Sequence, residues 1–423
     1  MSTAETPVRL LRPVGDPLAS YLRPGRNDHI ALVQMLEAGY GNFSGFAFDP
    51  CLDERHKELR ETAREHGSEV ILDPKSVELS TEGGIRRSGI NALPWTLGEE
   101  LPHSPAQVRA NVIPYAEALA EHATEKSYSA VLAPTHFVSD SRDEWLEIDA
   151  SLTCELRKAL DSAGGKDIPI YYPLVLSGQA LRSWTERRRF KSHLEALPID
   201  ALWLRVHAFG TTTSGPRALP GYIEAGRDFH TLGHPIVADR VGGVGLALMA
   251  FGAVGGIESG LTFGERYDHQ SLRRKPKDGD GFLQPPRVYI AELGAFLKAK
   301  QAAEFFEIRG MKSKFGCRDT DCCRRGTEDM LRDPRGHFLR RRAGEISSMS
   351  RLPAEMRAPN YLDEFLRPAT DLALTASRVY PRFNRTQAQL EQRRITLSAM
   401  QRTKPAESFA QTPRGQRVIR KSA

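Results

Sequence analysis

Several features are scarce or missing in this chain of 423 residues, and each absence excludes a class of protein. No apolar stretch approaches the roughly 20 residues that a membrane span requires. The first residues, Met1–Leu11, lack the apolar core of a secretory signal. No phosphate-cradling glycine loop follows the first predicted strand, which argues against nucleotide hydrolysis. We therefore expect a cytoplasmic protein with no membrane partner.

The composition is that of an ordinary globular protein, with 40% hydrophobic and 26% charged residues. One barrel-sized domain with additions fits the length. The net charge is +6 and the pI is near 9.0. Arginine runs at Arg187–Arg189, Arg324–Arg325 and Arg340–Arg342, with a basic tail, favour phosphate-bearing partners. Solvated helix faces explain any single run equally well.

Short apolar runs alternate with helical segments, which is typical of βα units around parallel strands. Eight such units over about 250 residues predict a (β/α)₈ TIM barrel, with an open doubly wound sheet as the alternative. The predicted strands are Ser44–Asp49, Glu69–Asp73, Ala130–Thr135, Ile168–Leu176, Ala201–Ala208, Pro235–Asp239, Gly252–Glu258 and Arg287–Glu292.

The chain then divides into five parts. An N-terminal segment covers 1–43, the barrel 44–310 and a zinc-binding subdomain 311–345. Two C-terminal helices fill 346–402, and a basic tail, 403–423, has so little apolar content that we expect it to be disordered.

Three of the five cysteines fall within seven residues, as Cys317, Cys322 and Cys323, and His337 follows fourteen positions later. In a reducing compartment this clustering indicates a metal before a disulfide. Three thiolates and an imidazole satisfy tetrahedral Zn²⁺ and leave no position for water. We therefore predict a structural zinc site. The alternative is reduced cysteines without metal, with one of the adjacent pair buried as a small hydrophobe.

Active sites of such barrels lie at the C-terminal ends of the strands, so the polar groups there are candidates. Asp73, Asp239 and Glu258 are the predicted catalytic carboxylates, because such groups serve acid–base or nucleophilic chemistry. The predicted substrate-binding residues are His136, Gln179, Arg205, His207 and Gly256.

Each candidate has a plainer interpretation. Asp239 with Arg240 could form an ion pair at the barrel rim, and His207 could be a satisfied core histidine. Asp49 precedes proline, which favours a turn or a helix cap. Asp73 also precedes proline, but a long insertion that could cover a site follows it. Glu258 lies among small residues that leave space for a ligand, which makes it the best nucleophile or base.

A barrel followed by a three-cysteine, one-histidine motif resembles the tRNA-guanine transglycosylase family, including relatives that place 7-deazaguanine bases in DNA. The architecture is similar over Phe46 to Leu339. Cys317, Cys322, Cys323 and His337 match the zinc ligands of the family in type and order. Leu176-Ser-Gly-Gln179 stands nearest to the Gln-Gly-Gly that reads the base in the family, and Glu258 replaces the family's nucleophilic aspartate.

The resemblance implies that a carboxylate attacks C1′ of a nucleotide, guanine leaves and a deazapurine takes its place. It gives Asp73 the acid–base role and Glu258 the role of nucleophile. Its partners would be DNA or tRNA and a guanine or 7-deazaguanine base, and it implies a homodimer through the zinc subdomain.

Two other functions stay open from the sequence. The first is a non-catalytic protein on the same zinc-bearing barrel that binds a nucleobase or nucleic acid. The second is an unrelated barrel enzyme, such as a carboxylate-dependent lyase or glycosidase, with idle cysteines.

Overall fold

The computed structural model describes residues 18–40, 43–83, 89–211, 215, 217–262, 266–273, 286–406, 409 and 411. The strands within these ranges are β1 (Ala19–Arg23), β2 (Gly45–Phe48), β3 (Glu69–Leu72), β4 (Ala130–Leu132), β5 (Phe137–Val138), β6 (Ile170–Leu176), β7 (Ala201–Val206), β8 (Ile236–Asp239), β9 (Gly256–Gly260), β10 (Arg287–Ile290) and β11 (Ala295–Lys298).

The α-helices in the same ranges are α1 (His29–Glu37), α2 (Lys57–Glu65), α3 (Ser76–Ser80), α4 (Pro105–Ala110), α5 (Val112–Glu125), α6 (Trp145–Ser162), α7 (Gly178–Arg182), α8 (Trp184–Leu194), α9 (Ala218–Phe229), α10 (Gly245–Ala250), α11 (His269–Leu272), α12 (Ala299–Glu307), α13 (Met311–Phe315), α14 (Thr327–Arg332), α15 (Pro334–Ser350), α16 (Ala354–Asn360), α17 (Arg367–Val379) and α18 (Asn384–Thr403). A π-helical stretch, Tyr361–Leu366, joins α16 to α17. None of these described helices is both long and apolar enough to cross a bilayer.

Eight of the described strands run parallel and close into a barrel, in the order β1, β2, β3, β4, β6, β7, β8, β9 and back to β1. The closing pair is β1 with β9, where Ala19 lies opposite Gly256 and Arg23 opposite Gly260. Strand β4 pairs directly with β6, and the short β5 joins β6 nearer its C-terminal end. The predicted TIM barrel is therefore confirmed.

One of the eight predicted strands was wrong and one barrel strand was missed, so the predicted number was right. The first barrel strand is Ala19–Arg23, so the barrel extends into the segment 1–43 instead of starting at residue 44. The predicted last strand, Arg287–Glu292, forms instead an antiparallel hairpin with β11 outside the barrel. Strand propensity cannot separate these cases, because partner and direction are set by tertiary packing.

The barrel interior is filled by inward-facing side chains from alternate strand positions, as the two-residue period of a strand requires. A separate apolar cluster holds Tyr21, Ile71, Leu132 and Trp203 together with Ala19, Ala130, Tyr171, Ala201 and Val237. The rings of Tyr21 and Trp203 lie 5.1 Å apart between centroids. This packed apolar layer lies beneath the C-terminal ends of the strands and forms the floor of the barrel mouth.

The region after the barrel has its own aromatic contacts. Phe338 on α15 lies 5.4 Å from Tyr289 on β10 and 5.4 Å from Phe296 on β11, measured between ring centroids. Phe305 on α12 packs likewise against Phe383, which precedes α18. Of the helices within 346–402, the two predicted correspond to the π-helical stretch with α17 and to α18, and α16 was not predicted. The expected disorder of 403–423 concerns positions most of which lie outside the described residues.

Candidate functional site

The C-terminal mouth of the barrel carries a layer of charged side chains. Strand alternation puts these inward-facing residues two positions above the apolar floor: Arg23 on β1, Asp49 after β2, Asp73 after β3, Arg205 on β7, Asp239 on β8 and Glu258 on β9. The three carboxylates predicted to be catalytic therefore project into one mouth. All three are buried, with 3%, 1% and 0% of Asp73, Asp239 and Glu258 exposed.

Asp73 is surrounded by cations. The Arg23 guanidinium donates to its Oδ2 through Nη1. The same oxygen lies 3.7 Å from Lys75 Nζ, 3.8 Å from Arg205 Nη2 and 3.9 Å from Arg240 Nη2. Although burial alone would raise it, the charges of Lys75, Arg23, Arg205 and Arg240 hold the pKa of Asp73 well below its usual range. Asp73 is therefore an anion at any physiological pH.

Glu258 is in the opposite state. Burial, together with the neighbouring charge of Asp239, raises its pKa to about 8, although Arg23 acts in the other direction. Its Oε1 accepts from Arg23 Nε at 3.1 Å and its Oε2 accepts from the backbone N–H of Arg240 at 3.1 Å. At neutral pH this carboxyl group keeps its proton, so it acts as a nucleophile only above that range.

Asp239 lies beside Glu258 on the neighbouring strand, one residue beyond the pair Ala238–Ile257. Its Oδ2 accepts from Arg205 Nε at 2.7 Å. Its carboxyl group also hydrogen-bonds with that of Glu258, and its buried Oδ1 has no other donor within hydrogen-bond distance among the described residues. Burial is the largest single effect on the pKa of Asp239 and raises it, but Arg205, the hydrogen bond with Glu258, Arg23 and Arg240 together hold that pKa below its usual range. The mouth thus pairs a protonated carboxyl group with an ionised one.

Two of the cations are held by unusual backbone conformations. Lys75 and Arg240 have φ angles of 63° and 55°, in the left-handed region that costs a non-glycine residue roughly 1 kcal/mol or more. Both follow a strand end within two residues of a mouth carboxylate, Asp73 or Asp239. The turns bring the side chains back over the mouth, where Lys75 Nζ also lies 3.4 Å from Asp49 Oδ2.

The rim of the mouth is aromatic. The guanidinium carbons of Arg205 and Arg240 lie 5.8 and 5.7 Å from the ring centroid of Tyr267, within range of a cation–π contact. The Tyr267 hydroxyl contacts His269 Nδ1 at 3.1 Å, and the His269 ring stacks on Phe137 with centroids 4.1 Å apart. These rings cover the arginines from one side.

The predicted substrate-binding residues are not all in the mouth. Arg205 is, and His207 lies at its rim, where Nδ1 accepts from the backbone N–H of His269 at 3.1 Å. Gln179 is exposed near the start of α7. Gly256 begins β9 at the opposite end of the barrel, where a Cβ would meet that of Ala19 at 3.0 Å. Its lack of a side chain therefore serves strand packing.

His136 forms a buried pair behind the mouth. Its Nδ1 lies 2.6 Å from Asp149 Oδ1, and its backbone N–H donates to Asp149 Oδ2 at 2.9 Å. The imidazole stacks on Trp145 with ring centroids 3.7 Å apart, and its side chain is 1% exposed. Residues of its own βα unit thus hold His136 in place.

Sequence reasoning missed Arg23, Lys75, Glu78 and Tyr267 as members of the site. Arg23 ends a strand that the apolar pattern did not reveal, and Tyr267 comes from the segment after β9. A usable signal did exist for Lys75, which stands two positions after Asp73, with Glu78 one helical turn further on. Those two side chains lie 3.7 Å apart between Nζ and Oε1.

Cys317, Cys322, Cys323 and His337 come together after the barrel as a cluster that could hold a metal ion. All four are buried, and one ligand atom from each lies within 4.8 Å of all the others. The sulfurs of Cys322 and Cys323 lie 3.8 Å apart, and His337 Nδ1 lies 3.4 and 3.3 Å from them. The adjacent cysteines therefore both face the cluster.

A contact behind the histidine sets its orientation. His337 Nε2 donates to the backbone carbonyl of Tyr289 at 3.0 Å, which leaves the lone pair of Nδ1 facing the thiols. Asp333 caps α15, with Pro334 in its first turn, and thereby fixes the start of the helix that carries His337. The hairpin and α15 therefore shape the cluster jointly.

The arginine runs are less exposed than a basic surface would require. Arg187 is buried and donates to Asp228 at 2.8 Å, and Arg342 is buried in the region after the barrel. Arg188 and Arg189 remain exposed, beside the 61% exposed Trp184. The runs are thus divided between internal ion pairs and solvent.

No protein family and no curated protein matches this sequence. Solved structures match the barrel. A GH18 chitinase from Pseudoalteromonas aurantia has a TM-score of 0.38 and 13% identity, with 57% of this chain and 93% of that chain covered. Xylanase B from Clostridium stercorarium scores 0.35 at 14% identity, over 57% and 85%.

The type I 3-dehydroquinate dehydratase from Clostridium difficile scores 0.35 at 11% identity, with 62% of this chain and 92% of that chain covered. Similarity at this level assigns no substrate and no chemistry to this chain.

Proposed function

We propose that the protein is a transglycosylase-like enzyme that exchanges guanine for a 7-deazaguanine base in DNA or tRNA. The observation that carries the proposal is that the buried carboxyl groups of Glu258 and Asp239 lie side by side on neighbouring strands at the bottom of the mouth. Burial raises the pKa of Glu258 to about 8, whereas the nearby arginines lower that of Asp239, so the pair holds one proton at neutral pH. Breaking a base–sugar bond requires a proton for the departing base and a carboxylate for the sugar carbon. The two neighbouring groups supply one of each.

The protonation states of Glu258 and Asp239 assign their roles in the reaction. Asp239, whose Oδ2 is held by Arg205, forms a bond to C1′ through its other oxygen while the bond from C1′ to the base nitrogen breaks. Glu258 gives its proton to the departing base. The nitrogen of the incoming base then attacks C1′ and releases Asp239, and its proton returns to Glu258. Glu258 is thus the proton donor in this scheme, and Asp239 is the nucleophile.

Asp73 supports this pair through Arg23. The Arg23 guanidinium contacts both Asp73 and Glu258, so Asp73 fixes the guanidinium that holds Glu258 Oε1. This bridging position differs from the acid–base role that the family resemblance implies. An anion held by four nearby cations is a poor proton acceptor, because its pKa is so low.

Zinc is the metal that we propose for the cysteine–histidine cluster. Bonds of about 2.3 Å to sulfur in a tetrahedral site place two sulfurs about 3.8 Å apart. The separation of the Cys322 and Cys323 sulfurs is 3.8 Å. Three thiolates and one imidazole fill the four positions, so the ion would stabilise the region after the barrel without taking part in the reaction.

A non-catalytic protein that binds a nucleobase or nucleic acid is the second candidate. It is favoured by the extent to which Asp73 is neutralised by Arg23, Lys75, Arg205 and Arg240. Such a closed network can recognise a polar ligand without reacting with it.

The test is incorporation of labelled guanine into tRNA and into duplex DNA. We expect the wild type to incorporate label. Asp228→Asn should also incorporate it, because the Asp228 carboxylate forms its ion pair outside the mouth. Asp239→Asn should lose at least about 10³-fold in rate, as loss of a nucleophile does. The rate should fall as the pH rises through about 8, where Glu258 loses its proton. Binding of nucleic acid without any incorporation by the wild type would support the second candidate.

A further inference from the structure

The mouth contains hydrogen-bonding groups that the protein itself leaves unused. Among the described residues, buried nitrogens of three arginines find no acceptor: Nη2 of Arg23, Nη2 of Arg205 and Nε of Arg240. A buried donor without a partner destabilises the folded protein, because it has lost its hydrogen bonds to water. Three such donors in one place therefore point to a ligand that accepts from them.

The three guanidiniums converge on one place. Arg23 donates to Asp73 Oδ2, and Nη2 atoms of Arg205 and Arg240 lie 3.8 and 3.9 Å from that same oxygen, beyond hydrogen-bond distance. Arg205 and Arg240 also share the ring of Tyr267. Other contacts fix two of the arginines in place, since Arg23 Nε is bound to Glu258 and Arg205 Nε to Asp239. The donors are thus held before any ligand arrives.

Two carboxylate oxygens beside them can accept from a ligand. Glu78 Oε2 is buried and has no hydrogen-bond donor in the described ranges, and buried Asp239 Oδ1 has none there besides the neighbouring Glu258 carboxyl group. A ligand that satisfies the mouth must therefore present acceptors to the arginines and donors to the two carboxylates. The side chains of Arg23 and Arg240 keep 12% and 16% of their surface exposed, so these groups lie just below the solvent boundary.

We infer that the barrel mouth binds a phosphorylated sugar. Its phosphate oxygens accept from Arg23, Arg205 and Arg240, and its hydroxyl groups donate to Asp239 and Glu78. Guanidinium groups suit phosphate because their planar N–H donors match its oxygens. A neutral sugar would leave the three donors without a charged acceptor, and inorganic phosphate alone would leave the carboxylates with few donors. The inference stands on the unused donors and does not depend on base exchange.

The test is calorimetric titration of the full chain with ribose 5-phosphate, ribose and inorganic phosphate at constant ionic strength. We expect saturable binding of ribose 5-phosphate, at least about tenfold weaker binding of inorganic phosphate and none of ribose, because each charge-assisted hydrogen bond contributes about a factor of ten. Equal affinity for ribose and ribose 5-phosphate, or no binding of either, would overturn the inference.

Variants locate the site. Arg240→Met removes a donor whose ion pairs are all 3.8–3.9 Å long, so the fold should survive and the affinity should fall about ten- to a hundredfold. Arg240→Lys keeps the charge but loses Nε, so its affinity should lie between that of Arg240→Met and that of the wild type. Arg187→Lys, a buried arginine paired with Asp228 outside the mouth, is the matched control and should bind like the wild type. Unchanged affinity in Arg240→Met, with the fold verified by circular dichroism, would contradict the site.

The source of the sugar phosphate is distinguished by oligonucleotides. If the ligand is the end of a nucleic acid, a 5′-phosphorylated oligonucleotide should compete with ribose 5-phosphate and its 5′-hydroxyl counterpart should not. If the ligand is a free metabolite, neither should compete. Since no step of this test requires turnover, failure of base exchange and failure of phosphate binding are separate results.

Discussion

Arg23 Nε donates to Glu258 Oε1 at 3.1 Å, across the two strands that close the barrel. Nη1 of the same guanidinium donates to Asp73, which follows β3 on the other side of β1. The strand pair that closes the barrel therefore carries the arginine that links two carboxylates of the candidate active site. Closure of the barrel and the charge state of the mouth are therefore coupled.

Glu258→Gln should change how stability depends on pH. In the folded protein the pKa of Glu258 is about 8, against the ordinary 4.5 of an unburied glutamate. The unfolded chain therefore loses this proton at a lower pH, and its release favours unfolding between about pH 4.5 and 8. Glutamine has no proton to lose. We expect the variant to gain stability relative to wild type as the pH rises from 5 to 8, measured by urea unfolding.

The control for this experiment is Asp228→Asn. Its ion pairs with Arg187 and Lys191 lower the pKa of Asp228, although burial acts in the other direction, so it titrates below that window. The stability difference between Asp228→Asn and wild type should therefore be flat from pH 5 to 8. A flat difference for Glu258→Gln as well would mean that Glu258 is already ionised in the folded protein.

Asp73→Asn should destabilise the fold by about 3–5 kcal/mol, because it leaves the buried cations around it uncompensated. The folded pKa of Asp73 lies well below its unfolded value. Its contribution is thus complete above about pH 4 and is lost as the pH falls through the folded pKa. Asp161→Asn breaks an ion pair with Arg157 at the surface, where the Asp161 side chain is 46% exposed, and should cost at most about 1 kcal/mol. Equal costs at the two positions, by denaturant unfolding at pH 7, would refute the charge argument.

Metal content tests the cysteine–histidine cluster. Purified protein should carry about one equivalent of zinc by elemental analysis, and Cys323→Ser and His337→Ala should carry much less. Cys154, on α6 and away from the cluster, provides the control, and Cys154→Ser should keep its zinc. Chelation should lower the melting temperature of the wild type, since the metal joins the segment between α13 and α14, which carries the cysteines, to α15, which carries His337. Full zinc content in Cys323→Ser would show that this thiol is not a ligand.

Trp203→Ala tests the floor of the mouth. This side chain is completely buried within the barrel, so its truncation should cost about 3–5 kcal/mol of unfolding free energy. Trp184→Ala removes an identical side chain that is 61% exposed, and its cost should stay within about 0.5 kcal/mol. Chemical denaturation of both variants makes the comparison. Similar midpoints for the two would mean that the barrel interior is not packed as described.

The alternation of apolar runs and helices was enough to predict the barrel, because each parallel strand needs a crossover connection of its own. Seven of the eight predicted strand positions hold barrel strands. The pattern failed at Ala19–Arg23, a short strand with Ser20 and Arg23, whose polar residues become buried only when the barrel closes around them. It also predicted a barrel strand at β10, where an equally apolar run pairs instead with the antiparallel strand β11 outside the barrel.

The sequence by itself determined the residues that one local segment can bring together. The spacing of Cys317, Cys322, Cys323 and His337 predicted a metal cluster, because a short stretch of chain suffices to make those ligands converge. It also indicated that carboxylates at strand ends share a mouth. Only the tertiary structure decided that Arg23 bridges Asp73 and Glu258, and that Glu258 keeps its proton while Asp73 does not. The physical reason is that protonation depends on burial and on charges within a few ångströms, and here those charges come from strands far apart in sequence.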